Sequence, residues 1–188
     1  MQEARWQLEL DIVVLMPVGE PPHKQVAQDP GREVRFELCK RLAGADESLE
    51  VSRLEIEREG PSYTVDTLRA LRRGRSDDDL FLILGGDMAA TLASWRDPEH
   101  VLLMATVAVA EREQARQAQV RSAIAGIEGS ERVTFFAMPG IEISSTLVRE
   151  RVNAGQPYRH LVPGPVADFI EQEGLYRVNA PVGTGEGA

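Results

Sequence analysis

The stretch LFLILGGD, Leu80 to Asp87, decides the fold. Its apolar residues, Leu80 to Leu84, read as a buried strand, and the two glycines and the acid that follow read as the turn at its carboxyl end. Outward from it, short β-branched runs alternate with amphipathic stretches. The further strand readings are Ile12 to Met16, Leu49 to Ile56, Ala105 to Ala110 and Val133 to Met138. Helical spacing covers Arg32 to Leu42, Val65 to Arg73, Gln114 to Ala125, Ser145 to Asn153 and Pro163 to Glu173. This alternation predicts βαβ units, hence an α/β domain whose mostly parallel sheet is flanked by helices. One domain is expected over residues 1–176, with 177–188 a flexible tail. The GTGEG in that tail lacks the strand and helix that would make it a dinucleotide-binding turn. At the other end, Gln2 to Leu10 reads as helix with no Ser, Thr, Asp or Asn before it as a cap and no strand before it. The chain reads as starting inside an element.

At 188 residues and 43% hydrophobic, the chain can bury a substantial core. Lys plus Arg number 21 against 30 Asp plus Glu, a net charge of -9, which is the wrong sign for coating nucleic acid. An anionic ligand must therefore find a local basic pocket. The longest apolar run, Val101 to Ala110, is half the length of a bilayer span, so no membrane segment is expected. A single cysteine, Cys39, excludes an intramolecular disulfide and suits a reducing compartment, read here as the cytoplasm. With three His it also argues against a structural zinc site. Val34, Leu38 and Leu42 recur every four residues beside Cys39, which makes the thiol a core group rather than a nucleophile.

In an open α/β sheet, ligands bind beyond the carboxyl ends of the strands, so the polar residues there carry the chemistry. PVGEPPHK, Pro17 to Lys24, follows a strand and brings Lys24 as a point charge suited to phosphate, although alone it reads first as a surface loop. In LILGGD, Gly85 and Gly86 let a ligand approach the backbone, and Asp87 either accepts from a ribose hydroxyl or caps the next helix. Downstream, Trp95 in SWRDP can stack on an aromatic base, with Leu92 on its helical face keeping a core role open. In GPSYTVDTL, the hydroxyls of Ser62, Tyr63 and Thr64 lead into a helix, where capping is the simpler local reading. The most telling stretch is GIEISSTLVRERV, Gly140 to Val152. Ser144 or Ser145 caps a helix whose free N–H groups form an anion site, with Thr146 adding another hydroxyl. Arg149 follows about one turn in, where its charge opposes the helix dipole unless an anion is bound. The third helical position, assigned to Val148, lacks the Glu or Gln of a capping box.

In this order, VGEPPHK, GPSYTVDTL, ILGGDMAATLASWRD, the Arg112 region, ISSTLVRERV and HLVPGPVADFIEQEGLY resemble the bacterial nicotinate mononucleotide adenylyltransferases of the nucleotidyltransferase superfamily. The match runs from about Gln2 to Tyr176. The resemblance implies a Rossmann-like nucleotidyltransferase fold. It also implies adenylyl transfer from ATP to nicotinate mononucleotide, giving nicotinate adenine dinucleotide and pyrophosphate in NAD biosynthesis. By the same resemblance, Ser144, Ser145, Thr146 and Arg149 hold the ATP phosphates and Gly85 and Asp87 meet the adenosine. Arg112 borders the nucleotide, and Lys24 lies near the reacting phosphates. Ser62, Tyr63, Thr64 and Trp95 line the nicotinate pocket, while Mg²⁺ arrives on ATP. Such a transfer needs no protein nucleophile, only in-line positioning and charge neutralisation.

The chain departs from that family at its beginning, where a strand normally ends in a Gly-Gly-Thr-Phe-x-Pro-x-His-x-Gly-His loop. His23, His100 and His160 lie elsewhere. The first, central strand is therefore expected to be missing from the sheet, and Met1 is expected to be an internal or misassigned start with about 20 further residues upstream. Two alternatives stay open: an adenylyltransferase for phosphopantetheine or a cytidylyltransferase, and a nucleotide-binding protein without transfer. The SYT and SWRD segments favour the pyridine acceptor. Oligomeric state is left open, a homo-oligomer included.

Overall fold

The structure is a computed structural model and describes residues 1–21, 29–44, 46–74, 76–111 and 113–177. The chain forms two compact units, one drawn from residues 1–24 and 47–140 and the other from 25–46 and 141–188.

The first unit holds the sheets. Strands β1 (Val13–Leu15) and β2 (Leu49–Val51) pair in parallel with Val13 opposite Leu49. Strands β3 (Phe81–Gly85), β4 (Thr106–Ala110) and β5 (Thr134–Phe136) form a second parallel sheet in that spatial order. The α/β class with parallel strands and flanking helices is as expected, but the strands form two sheets rather than one continuous sheet.

Alternation along the strands explains the packing. On one face, Val107 and Val109 of β4 are fully buried and join Leu82 and Leu84 of β3. Against them lie Val65 and Leu68 of α3 (Thr64–Gly74), Val101 and Leu102 of α5 (Pro98–Met104), and Val120 and Ile124 of α6 (Gln114–Ile124). On the other face, Ala108 and Ala110 of β4, Phe81 and Ile83 of β3 and Phe136 of β5 meet Ala4 and Leu8 at α1 (Gln2–Gln7). Successive strand residues point to opposite faces, so a strand covered on both sides must be apolar throughout.

Three local readings change. The strand expected to reach Ile56 stops at Val51, because Ser52 donates its amide to the Leu15 carbonyl and then turns the chain, its hydroxyl accepting from the Leu54 amide at 3.2 Å. Ile56 is buried all the same, in the turn. Helix α5, which no helical reading covered, takes in the first four residues of the longest apolar run, ahead of the strand read from Ala105, and starts with Pro98 in its first turn. The N-terminal helix ends at Gln7 rather than Leu10.

The second unit is helical. Helix α2 (Arg32–Ala43), α7 (Ser145–Asn153) and α8 (Gly164–Gln172) pack through Leu38 and Leu42, Val148 and Val152, and Val166, Ala167 and Ile170. Among the described residues no helix is long and apolar enough to cross a membrane.

Candidate active site

The α7 N-terminus is built as its sequence dictates. Ser144 is the cap, with extended backbone and its hydroxyl accepting the Leu147 amide at 3.1 Å. The third helical position is thus Leu147, not Val148, and it too lacks a carboxamide or carboxylate. Ser144, Ser145 and Thr146 are exposed, and one turn on Arg149 donates to the Thr146 hydroxyl at 3.3 Å. A capped helix start with free amides, three hydroxyls and a guanidinium is a phosphate-binding arrangement. Asp29, ion-paired with Arg35 and accepting the Gly31 amide at 3.1 Å, belongs to the same unit. The Arg35 guanidinium holds the Asp29 carboxyl below the usual carboxylate range, with Arg149 adding to the effect. Burial pushes the Tyr176 phenol up, against the pull of Arg149.

In the first unit, Gly85 ends β3 directly opposite Ala110, which ends β4. A side chain at Gly85 would meet open space, whereas at Gly86 it would run into the Glu111 carboxylate at 2.9 Å. Gly85 is also the cap position of the short α4 (Gly86–Ala89), so Asp87 stands in its first turn with its side chain exposed and does not serve as the cap. Glu111, just past β4, stands beside Gly86, and the motif reading passed over it. Its amide donates to the Phe136 carbonyl at 3.1 Å and its carboxylate accepts from the Glu113 amide at 3.0 Å. Its position after a strand was the available signal.

A second group forms where α3 begins. Tyr63 and Trp95 are half-buried and both pack on the main core, and Thr64 is the first residue of α3. The indole N–H of Trp95 donates to the Thr91 hydroxyl at 3.0 Å. Arg96, next in the chain, lays its guanidinium 4.7 Å over the Tyr63 ring, which ties the SWRD and SYT segments together. Ser62 is buried and turned inward, its hydroxyl accepting the amides of Gly19 at 3.2 Å and Glu20 at 3.3 Å. It braces the loop after β1. Nearby Glu55, also buried, accepts from the Thr67 hydroxyl at 2.6 Å, and Arg58 donates to the same hydroxyl at 3.0 Å.

Lys24 and Arg112, both expected at the nucleotide, lie outside the described residues. Cys39 is half-buried, and burial pushes its thiol up, which disfavours the nucleophilic thiolate.

Comparison with known proteins agrees with this layout. Residues 1–151 match the family model described as cytidylyltransferase-like. A protein of Tropheryma whipplei (strain TW08/27) named "Probable nicotinate-nucleotide adenylyltransferase" is 36% identical over 168 residues, covering 89% of this chain and 85% of the relative. One of the same name from Moorella thermoacetica is 34% identical over 179 residues, covering 94% and 82%. In fold the chain is similar to the Plasmodium falciparum nicotinic acid mononucleotide adenylyltransferase complexed with NaAD, at a TM-score of 0.64 and 13% identity, with 89% of this chain and 83% of that one covered. The same parasite enzyme complexed with APC gives a TM-score of 0.62 at 12% identity, with the same coverage. With its parallel strands, its Ser144-capped α7 and these relatives along nearly its whole length, the chain belongs to the cytidylyltransferase-like family and, within it, to the nicotinate-nucleotide adenylyltransferases.

Proposed function

We propose that this protein transfers the adenylyl group of ATP to nicotinate mononucleotide, forming nicotinate adenine dinucleotide and pyrophosphate in the synthesis of NAD. The observation in this chain that carries the reading is the α7 N-terminus, where Ser144, Ser145, Thr146 and Arg149 stand together. Their amides, hydroxyls and guanidinium hold the ATP phosphates. Gly85 lets the nucleotide approach the end of β3, and Asp87 accepts from its ribose. Tyr63, Thr64 and Trp95 take the nicotinate ring, with Ser62 bracing the adjoining loop. On the strength of the sequence, Lys24 stands near the reacting phosphates and Arg112 borders the nucleotide.

In the reaction, a phosphate oxygen of the mononucleotide attacks the α-phosphorus of ATP. The bond from that phosphorus to the bridging β-phosphate oxygen breaks, and pyrophosphate leaves with the electron pair. Arg149 and the α7 amides neutralise the charge that gathers on the departing pyrophosphate. Mg²⁺ is expected with the triphosphate, where it adds positive charge. We place the reaction in the cytoplasm.

The test is pyrophosphate release with ATP and Mg²⁺, comparing nicotinate mononucleotide, its amide and phosphopantetheine. Fastest release with nicotinate mononucleotide supports the reading. Release with phosphopantetheine instead, or ATP binding with no release for any acceptor, overturns it.

A further inference from the structure

Glu111 stands one residue past β4, at the carboxyl end of the sheet, and it is held there from three directions. Its amide donates to the Phe136 carbonyl at 3.1 Å, its carbonyl accepts from the Gln117 side chain at 2.8 Å, and its Oε1 accepts from the Glu113 amide at 3.0 Å. A long side chain is thus fixed before any ligand arrives, which lowers the entropy lost on binding one. The other oxygen, Oε2, has no hydrogen bond or ion pair among the described residues. It lies 2.9 Å from where a Cβ on Gly86 would stand, so the absent side chain of Gly86 is what gives the carboxylate its place. Gly85 ends β3 directly opposite Ala110, which puts this oxygen across the ends of two neighbouring strands, beside the turn that carries Asp87.

A carboxylate offers acceptors only, so two of them at one strand edge suit a ligand with neighbouring donors. On adenosine, the cis hydroxyls of the ribose are such a pair. The adenine edge sets a ring acceptor beside its amine and matches two carboxylates less well.

We propose that Glu111 reads the ribose of the donor nucleotide, its Oε2 accepting one of the two cis hydroxyls while Asp87 accepts the other. The pair selects a ribonucleotide over its deoxy forms. The assignment rests on the nucleotide site of the proposed function, at Gly85 and Asp87.

The test measures equilibrium binding of ATP, 2′-deoxy-ATP, 3′-deoxy-ATP and GTP by titration calorimetry, so it does not depend on turnover. The proteins are the unchanged chain, Glu111→Ala, Glu111→Gln and Arg149→Ala, each checked for folding by thermal denaturation. The unchanged chain should bind ATP about tenfold tighter than either deoxynucleotide, the value of one charge-assisted hydrogen bond. Glu111→Ala should weaken ATP by about tenfold and abolish the discrimination against one deoxynucleotide while keeping it against the other. A contact already removed from the ligand cannot be lost a second time from the protein. Glu111→Gln, which keeps an oxygen acceptor without the charge, should fall between. Equal weakening of ATP and both deoxynucleotides by Glu111→Ala, or no weakening at all, would show that Glu111 does not touch the ribose. A loss confined to GTP would make it a reader of the base and overturn the assignment. Arg149→Ala keeps the two failures apart. If it weakens all four nucleotides alike, the nucleotide site stands however Glu111 behaves; if it weakens none, the site is misplaced and the assignment falls with it.

Discussion

The hydroxyl of Ser62 accepts the backbone N–H of Gly19 across a separation of 3.2 Å, joining the loops that follow two adjacent parallel strands, β1 and β2. The Ser62 amide returns a bond to the Glu20 carbonyl at 2.8 Å. Gly19 itself has no room for a side chain, since a Cβ there would overlap the Glu55 carbonyl. Ser62→Ala removes two hydrogen bonds, those that the Gly19 and Glu20 amides donate to its hydroxyl, and should cost about 1–3 kcal/mol. Gly19→Ala should destabilise by on the order of 2 kcal/mol, because backbone rather than a flexible side chain must move. Urea unfolding reads both, and unchanged midpoints would show that the latch carries no stability.

The α7 start allows stability and nucleotide binding to be separated. Ser144→Ala removes the cap bond to Leu147 and should lower stability by about 1 kcal/mol. Arg149→Ala should leave stability nearly unchanged while lowering kcat/KM for ATP by at least about tenfold, with little effect on the KM for the mononucleotide. Steady-state kinetics with each substrate varied decides it; an unchanged kcat/KM for ATP would remove Arg149 from the phosphate site.

Adjacent leucines on α5 test the core. Leu102 is 0% exposed and Leu103 is 66% exposed. Leu102→Ala should cost about 2–5 kcal/mol, through lost burial and the cavity left behind. Leu103→Ala should change stability by no more than about 0.5 kcal/mol. Chemical denaturation of the two variants should show that gap.

Asp29 gives a pH dependence of definite sign. Its carboxyl is held below the ordinary value chiefly by the Arg35 guanidinium. The folded state therefore binds the proton less tightly than the unfolded chain, whose aspartates titrate near about 3.9. The stabilising contribution is present above that value and is lost as pH falls through the lower folded-state value. Asp29→Asn should be slightly less stable than the unchanged protein at pH near 7, and its melting temperature should fall less steeply below about pH 4. The effect is modest because the pair is partly open to solvent, and added salt should shrink it. Thermal melts of both proteins across that range measure it.

Much of the architecture could be read locally. Helix α7 runs from Ser145 to Asn153 as its spacing and serine cap require, because a cap, a periodic face and a helix stop all lie within a dozen residues of one another. The strand readings LFLIL, ATVAVA and VTFFAM match β3, β4 and β5 respectively to within one or two residues at each end. Helix α5 was missed because it runs into the start of an apolar stretch, and continuous hydrophobicity has no period with which to separate helix from strand. The early end of β2 was likewise hidden, because Leu54 and Ile56 keep the pattern of a strand while the chain has already turned.

Composition, periodicity and the cap residue, which act over a few residues, determined the α/β class, the parallel strands and the Ser144-capped helix start. Tertiary structure alone decided which groups were already spent. Ser62 reads in sequence as a hydroxyl that caps the next helix or meets a ligand, yet it faces inward onto Gly19 and Glu20. Arg96 figures in the sequence only as a neighbour of Trp95, yet its guanidinium lies over the Tyr63 ring and meets Asp66 at 3.5 Å. The physical reason is that hydrogen bonds and ion pairs between segments depend on how distant stretches of chain are brought together, and no local pattern in either stretch records its partner.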